Sequence, residues 1–238
     1  MKTLDLLNRP LVIHSNYGDE SIALVQWAFE QGLNATVVSI DTGWAAEAWQ
    51  QRVQRGQRHA EDCGFQVERL ISKITFSEAV LGRCAFPSSQ FQWCTGLLKG
   101  LPFLDWLEAI DGAGDVIVLL AKRKTAALAH LTLKEWVEVC EYHGDRTVWH
   151  PLFDLPDDER DALLERAKFT PLGHRSLECE PCINSTAKDM ARLSIKDSQK
   201  LRSLEKEIGA SWGTPPKAPQ KYLDLFYRSC GNHFGCGL

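Results

Sequence analysis

The chain of 238 residues is 44% hydrophobic and 24% charged, a composition typical of one ordinary soluble domain rather than of a disordered or fibrous protein. Its formal net charge of −4 excludes a uniformly basic surface that would bind nucleic acid all round. No apolar run approaches the roughly 20 residues that cross a bilayer, and the N-terminal sequence lacks a signal-peptide core. We therefore expect a cytoplasmic protein with no membrane partner.

The first half of the chain alternates short apolar segments with segments of helical periodicity. Strands are predicted over residues 11–15, 35–40 and 65–71, and a helix follows each of the first two, the second over residues 45–62. Because strands and helices of these lengths alternate, the pattern predicts an α/β fold. Its parallel twisted sheet would carry helices on both faces.

The second half continues the alternation less regularly. A buried strand is predicted over residues 115–121 and an extended segment over residues 147–152, with helices over residues 103–110 and 157–168. One charged amphipathic helix is predicted over residues 187–208. The residues expected on its inward side are Met190, Leu193, Leu201, Leu204 and Ile208.

Two polar loops follow the first two predicted strands. In a parallel sheet the carboxyl ends of the strands form the ligand-binding edge, and both loops fall there. The first loop, residues 15–21, combines hydroxyls and backbone N–H groups with the start of a helix, a combination that holds phosphate. An ordinary strand-to-helix turn is the alternative. The candidate binding residues are Ser15, Asn16, Tyr17, Gly18, Asp19 and Ser21 in the first loop and Asp41, Thr42 and Gly43 in the second.

Two groups of cations have phosphate-binding potential. The first follows the strand predicted over residues 115–121 and can neutralise phosphates, although a solvated basic turn is the alternative. It consists of Lys122, Arg123 and Lys124. The second lies at three-residue spacing on the helix predicted over residues 45–62. It consists of Arg52, Arg55 and Arg58, which could meet a nucleic-acid backbone or form a solvated helix face.

Cys179 and Cys182 stand three residues apart, so that one turn can direct both thiols at a single metal centre. A redox dithiol and two buried thiols are the alternatives. Further thiols are available from Cys94, Cys230 and Cys236. Their number favours metal or thiol chemistry over a disulfide framework in a reducing compartment.

Taken in chain order, these motifs resemble those of the sulfonucleotide reductases, the phosphoadenylyl sulfate and adenylyl sulfate reductases, within the adenine-nucleotide PP-loop group. Residues 15–21 stand at the family's phosphate loop, and residues 41–43 are similar to its Asp-Thr-Gly. The segment Ser-Leu-Glu-Cys-Glu-Pro-Cys at residues 176–182 closely resembles the Ser-Ile-Gly-Cys-Glu-Pro-Cys of the adenylyl sulfate reductases. The segment Cys-Thr-Gly-Leu-Leu-Lys at residues 94–99 is similar to their Cys-Cys-Gly-Leu-x-Lys.

The resemblance implies a 4Fe-4S cluster and an adenine nucleotide as cofactors. Three cluster ligands carry over, Cys94, Cys179 and Cys182, because Thr95 stands where the family has a second adjacent cysteine. Cys236 in the C-terminal tail is the candidate fourth ligand. An iron left open to bind sulfide and zinc on the same thiols are alternatives.

The resemblance also assigns the tail and the charged residues. Cys230 lies in a segment that partly repeats the family's Glu-Cys-Gly-Leu-His and would be the nucleophile beside His233, although the roles of Cys230 and Cys236 could be exchanged. Lys99 and Arg123 would be charge partners of the nucleotide phosphates. The expected parts of this single domain are a nucleotide-binding core (about residues 1–175), a cluster loop with the C-terminal helix (176–212), and a linker with the cysteine tail (213–238).

By this resemblance a tail thiolate attacks the sulfur of an adenylyl sulfate, and a thioredoxin-like reductant then releases sulfite. An ATP-dependent sulfurtransferase of DNA phosphorothioation or tRNA thiolation is one alternative, with nucleic acid as a partner. A non-catalytic nucleotide-binding subunit with a cluster or zinc is another. The family pattern is altered at Asn16 and Tyr17, which replace small loop residues, and at Ala126, Ala127 and His130.

Overall fold

The computed structural model describes residues 9–124 and 133–213. The strands in these ranges are β1 Leu11–His14, β2 Ala35–Asp41, β3 Gln66–Ile71, β4 Ile117–Leu120, β5 Trp136–Cys140 and β6 Arg146–Trp149. The helices are α1 Asp19–Glu30, α2 Trp49–Asp62, α3 Phe76–Arg83, α4 Trp93–Thr95, α5 Leu101–Ile110, α6 Asp157–Arg166, α7 Ala187–Met190 and α8 Ile195–Ile208. A π-helical turn, Gly96–Gly100, joins α4 to α5.

The strands form one sheet in the order β3-β2-β1-β4-β6-β5. The neighbouring pairs from β3 to β6 are parallel, and β5 is antiparallel to β6 at one edge. The predicted α/β fold class is therefore confirmed, with one antiparallel edge strand that the sequence pattern did not indicate. Strand β1 lies in the middle of the sheet, so the loop that follows it reaches the centre of the ligand-binding edge.

The core forms on both faces of the central strands because successive side chains of a strand point to opposite faces. Leu11 and Ile13 pack with α1, α2 and α6 on one face. Val12, between them, packs with α5 on the other face. A third apolar cluster joins α3 and α8 around Trp44 and Phe76, and it supports the cysteine loop described below.

The helix predicted over residues 187–208 is wrong as a single element, because the chain forms two helices there, α7 and α8. The Ser194 hydroxyl accepts a hydrogen bond from the Asp197 N–H at 3.0 Å and starts α8 anew, as an N-cap does. Within α8, Leu201 and Leu204 are buried, and Met190, Leu193 and Ile208 pack against the same cluster, as predicted.

In the part of the chain that the structure describes, no helix has both the length and the apolar composition to span a bilayer.

Candidate functional site

The predicted phosphate loop connects β1 to α1, and its polar groups are bonded to one another. The Asn16 Oδ1 atom accepts hydrogen bonds from the Gly18 N–H and from the Ser21 hydroxyl, both at 2.8 Å. The Ser15 hydroxyl accepts from the Tyr17 N–H at 3.1 Å. The donors that would hold a phosphate oxygen therefore already hold the amide oxygen of Asn16.

Arg52 of α2 fixes the outer side of this loop. Its guanidinium donates to the Tyr17 carbonyl at 2.7 Å and to the Asp19 carboxylate at 2.6 Å, and Asp19 also accepts from the Leu172 N–H at 2.8 Å. The Arg52 and Arg55 guanidiniums lie over the ring of Phe169. At least these two members of the arginine stripe are thus engaged with the chain itself.

Arg123 follows β4 and is 5% exposed. Its guanidinium donates to both oxygens of Glu20, at 2.6 and 2.9 Å, to Asp157 at 2.6 Å, and to the Leu155 carbonyl at 2.7 Å. These bonds use four of the five N–H groups of the guanidinium, and the nearby carboxylates largely neutralise its charge. The role of Arg123 at a nucleotide stays a prediction.

A cleft lies where β1 and β2 end, and we call it the β2 pocket. The residues that define it include Asn16, Tyr17, Ser39, Asp41, Thr42, Trp49, Arg69 and Glu178. The Asp41 carboxylate accepts from Arg69 at 2.6 Å and from the Gly43 N–H at 2.9 Å. The Thr42 hydroxyl and the Trp49 Nε1–H are buried without a hydrogen-bond partner in the described residues. Because buried polar groups are normally paired, these two groups are suited to a ligand.

The predicted cysteine ligands meet in a second cavity, which we call the thiol pocket. Cys94, Cys179 and Cys182 line it together with Thr42 and Lys99. The two cysteine segments are 85 positions apart from Cys94 to Cys179 in the sequence, and the fold brings them to one place. The three cysteines thus line one cavity, and their role as metal ligands stays a prediction.

Backbone contacts across residues 44–46 hold the cysteine loop in place. The Glu180 N–H donates to the Trp44 carbonyl at 2.8 Å, and the Ala46 N–H donates to the Leu177 carbonyl at 3.0 Å. The Trp44 indole N–H donates to the Pro181 carbonyl at 3.0 Å. Since residues 44–46 come shortly after the end of β2, these contacts fix the cysteine loop to the sheet edge.

The described residues do not fit a 4Fe-4S cluster by themselves. Four thiolates are the usual ligands of such a cluster, and buried Thr95 stands next to Cys94 where a fourth thiol would be. Among residues 9–124 and 133–213, no group of three or more His, Cys, Asp and Glu side chains is placed to hold a metal ion. Cys230, His233 and Cys236 lie outside the described residues, so their assigned roles stay predictions.

A buried ion pair connects the two pockets, since Glu178 lines the β2 pocket and Lys99 lines the thiol pocket. The Lys99 ammonium lies 2.9 Å from the Glu178 carboxylate, which also accepts from the Asn16 side-chain amide at 2.9 Å. Burial raises the pKa of Glu178, but the Lys99 cation and these hydrogen bonds outweigh it and hold that pKa below its ordinary value. Glu178 is therefore ionised at neutral pH.

His14, at the end of β1, completes this group. Its burial, followed by the nearby Lys99 cation, lowers the pKa of His14 from 6.5 to about 4, so the ring is neutral at pH 7. Neither His14 nor Glu178 was among the site residues predicted from the sequence. The position of His14 at the end of the first predicted strand was one available signal, and an acidic residue at 178, where the similar motif has glycine, was another.

No protein-family model matches the sequence, and no curated protein matches it. Among solved structures, NMN synthetase from Francisella tularensis is similar at 14% identity and a TM-score of 0.53, over 98% of this chain and 88% of that chain. PAPS reductase from Candida auris, in its phosphate complex, is similar at 16% identity and a TM-score of 0.48, over 68% of this chain and 74% of that chain.

NH3-dependent NAD synthetase from Campylobacter jejuni, in complex with the nitrate ion, aligns at 16% identity and a TM-score of 0.42, over 92% of this chain and 83% of that chain. The alignment with NMN synthetase, at a TM-score above 0.5 over nearly the whole chain, shows that this chain shares the α/β fold of that enzyme. At 14% identity, the similarity concerns the fold alone.

Proposed function

We propose that the chain is an adenine-nucleotide-dependent enzyme of sulfur chemistry, of the sulfonucleotide reductase type. The observation that supports this most strongly is that the β2 pocket and the thiol pocket adjoin, since Thr42 lines both of them. A ligand with its nucleoside in the first pocket would direct its anionic end toward the thiols of the second. The β2 pocket has a cavity volume of about 30 Å³ in this structure, so the loops around it would have to open to admit a nucleoside. The reacting thiol would come from Cys230, outside the described residues.

In this proposal the β2 pocket opens and the nucleoside pairs with the Thr42 hydroxyl and the Trp49 Nε1–H, two of the buried groups that lack partners in the described residues. The Lys99 side chain, 6% exposed and lining the thiol pocket, would offer its positive charge to the phosphosulfate in competition with Glu178. A buried cation is a stronger partner for an anion than a solvated one.

The proposed reaction is a nucleophilic attack by a cysteine thiolate on the sulfur atom of the sulfonucleotide. The thiolate of Cys230 attacks the sulfur of the sulfonucleotide, an S–S bond forms, and the S–O bond to phosphate breaks, so that the nucleoside monophosphate leaves with the electron pair. A thioredoxin-like dithiol then attacks the sulfocysteine, releases sulfite, and is oxidised to a disulfide. Cys230 returns as the thiolate.

The predicted 4Fe-4S cluster takes no part in these steps, because the described residues do not fit it by themselves. Iron and acid-labile sulfide analysis after anaerobic purification measures whether the full chain, with Cys236, carries one. Iron with sulfide in the wild type that is lost in Cys236→Ser would support the predicted fourth ligand.

A second candidate, nucleotide binding without turnover, is favoured by one observation. Asn16 already fills the phosphate loop with its own amide oxygen, and such a loop would hold a nucleotide weakly. This candidate predicts binding of the nucleotide with no covalent product.

The test combines binding with mass spectrometry. Calorimetry should detect AMP binding, and Trp49→Phe, which removes one hydrogen-bond donor and keeps a ring, should weaken it about fivefold to tenfold. Trp106→Phe, on the far face of the sheet in α5, is the matched control and should bind AMP like the wild type.

The same protein is then incubated anaerobically with adenylyl sulfate or its 3′-phosphorylated form, and its intact mass is measured. A sulfonate adduct on Cys230 that a dithiol removes would establish the reductase. AMP binding without an adduct would favour the non-catalytic candidate, and cleavage of ATP to AMP and pyrophosphate with added nucleic acid would instead favour an ATP-dependent sulfurtransferase. Failure of the wild type to bind any adenine nucleotide would refute the proposal.

A further inference from the structure

Asn16 and Glu178 connect the phosphate loop to the thiol pocket. The two residues are 162 positions apart in the sequence. The Asn16 amide nitrogen donates to Glu178 at 2.9 Å and lies 3.5 Å from the Ser176 hydroxyl. The contact therefore joins the loop after β1 to the cysteine loop.

This contact continues in both directions. On the loop side, the Asn16 Oδ1 atom accepts hydrogen bonds from the Gly18 N–H and the Ser21 hydroxyl, both at 2.8 Å. On the other side, the Glu178 carboxylate forms an ion pair with the Lys99 ammonium at 2.9 Å. A negative charge and an amide oxygen of the chain itself thus occupy the donors that a nucleotide anion would need.

The charges of Lys99, Glu178 and His14 determine how this part of the site interacts with a ligand phosphate. The Lys99 and Glu178 side chains are 6% and 13% exposed, so their charges are poorly screened and largely cancel each other. His14 beside them is neutral at pH 7 because its pKa is lowered by burial and by Lys99. A ligand phosphate near Lys99 would meet the Glu178 carboxylate, and repulsion between like charges in a poorly solvated site is strong.

We infer that Glu178, held by Asn16, is a specificity-determining residue that acts as an internal substitute for the ligand's anionic group and disfavours each added phosphate. The inference rests on the proposed function in that the β2 pocket takes the nucleoside. The wild type consequently binds adenosine, AMP or adenylyl sulfate, which carries about the same negative charge as AMP at pH 7, in preference to the more highly charged ADP and ATP. A polyphosphate binds only when Glu178 releases Lys99.

The experiment compares the affinities of adenosine, AMP, ADP and ATP for wild type, Glu178→Gln and Glu47→Gln by calorimetry at fixed ionic strength. Glu178→Gln keeps the shape of the side chain and removes its charge. Glu47→Gln removes one charge from an exposed side chain that pairs with Lys196, so it controls for the change in net charge.

We expect Glu178→Gln to tighten ADP and ATP binding at least tenfold and to leave adenosine within about twofold, while Glu47→Gln binds all four ligands like the wild type. Unchanged or weaker ADP and ATP binding in Glu178→Gln would overturn the inference, and so would an equal gain for adenosine. A gain that appears equally in Glu47→Gln would assign the effect to net charge and would also overturn it.

Inorganic pyrophosphate separates this inference from the proposed function. If no adenine nucleoside binds to any variant, the proposed function fails, but pyrophosphate still reports on the loop and Lys99. Asn16→Gly frees the Gly18 N–H and the Ser21 hydroxyl without a change of charge, so it and Glu178→Gln should both gain pyrophosphate affinity over the wild type. The absence of a gain in Glu178→Gln, folded as judged by circular dichroism, would refute the role of Glu178 whatever the result for Asn16→Gly.

Discussion

Replacement of His14 by glutamine should remove a pH-dependent part of the stability of the protein. His14 ends the central strand β1 and stacks on Phe103, with 4.5 Å between the ring centroids. The charged groups that act on it are Lys99 and Lys122, which lower its pKa, and Glu178, which raises it, but burial is the largest cause. The pKa is thereby lowered from 6.5 to about 4.

Linkage gives the sign and the size of the effect. Between pH 6.5 and 4 the unfolded chain binds a proton at this histidine while the folded protein does not, so acidification through this window favours unfolding. With these two pKa values, His14 lowers the free energy of unfolding by about 2 kcal/mol more at pH 5 than at pH 7. At pH 7 the ring is neutral in both states and the contribution is small.

Urea denaturation of wild type and His14→Gln at pH 7 and pH 5 measures this effect. Loss of the Phe103 stacking should destabilise the variant equally at both pH values, so it cancels in the comparison between them. The wild type should lose about 2 kcal/mol more than the variant on going from pH 7 to pH 5. Equal losses in the two proteins, or an NMR titration of the His14 ring with a midpoint near 6.5, would refute the reasoning.

Three further predictions concern the supports of the site. Gly56→Ala should destabilise the protein by about 1–3 kcal/mol in thermal melts, because the added Cβ would lie 2.3 Å from the Tyr17 ring. The control Gly82→Ala on α3, where a Cβ would have nothing within 4 Å, should be neutral or stabilising. Arg146→Met should lower the free energy of unfolding by about 3–5 kcal/mol, since it leaves the Asp111 carboxylate, 2.8 Å from the guanidinium, buried without its cation. An unchanged midpoint in urea denaturation would contradict this. Burial and, next, the Asp197 charge raise the pKa of Glu180 to about 7, so the folded state keeps a proton that the unfolded chain loses and stability falls as pH rises from 4.5 to 7. Glu180→Gln should flatten that fall in urea titrations at pH 5 and pH 8, and a curve parallel to that of the wild type would contradict the assignment.

Local sequence pattern predicted most of the elements that position the site. The apolar run that becomes β1 and the helical periodicity of α1 and α6 are properties of neighbouring residues. The folded chain buries the same apolar residues that form these local patterns. The pattern failed where neighbouring residues carry less information. Strand β5 is half exposed at the sheet edge, and the break before Ser194 depends on one capping hydrogen bond.

The sequence by itself also determined which chemical groups the site holds, because residues 15–21 and 41–43 follow strands and residues 179 and 182 are cysteines at metal-ligand spacing. Only the tertiary structure decided which other side chains of the protein those groups pair with. Asn16 could pair with any nearby polar group, and its pairing with Glu178 depends on how a segment 162 positions away crosses the loop. Arg123 likewise pairs with Glu20, which is 103 positions distant. Hydrogen bonds between side chains are set by distances of a few tenths of an ångström, and such distances exist only after the sheet, the helices and the cysteine loop have packed together.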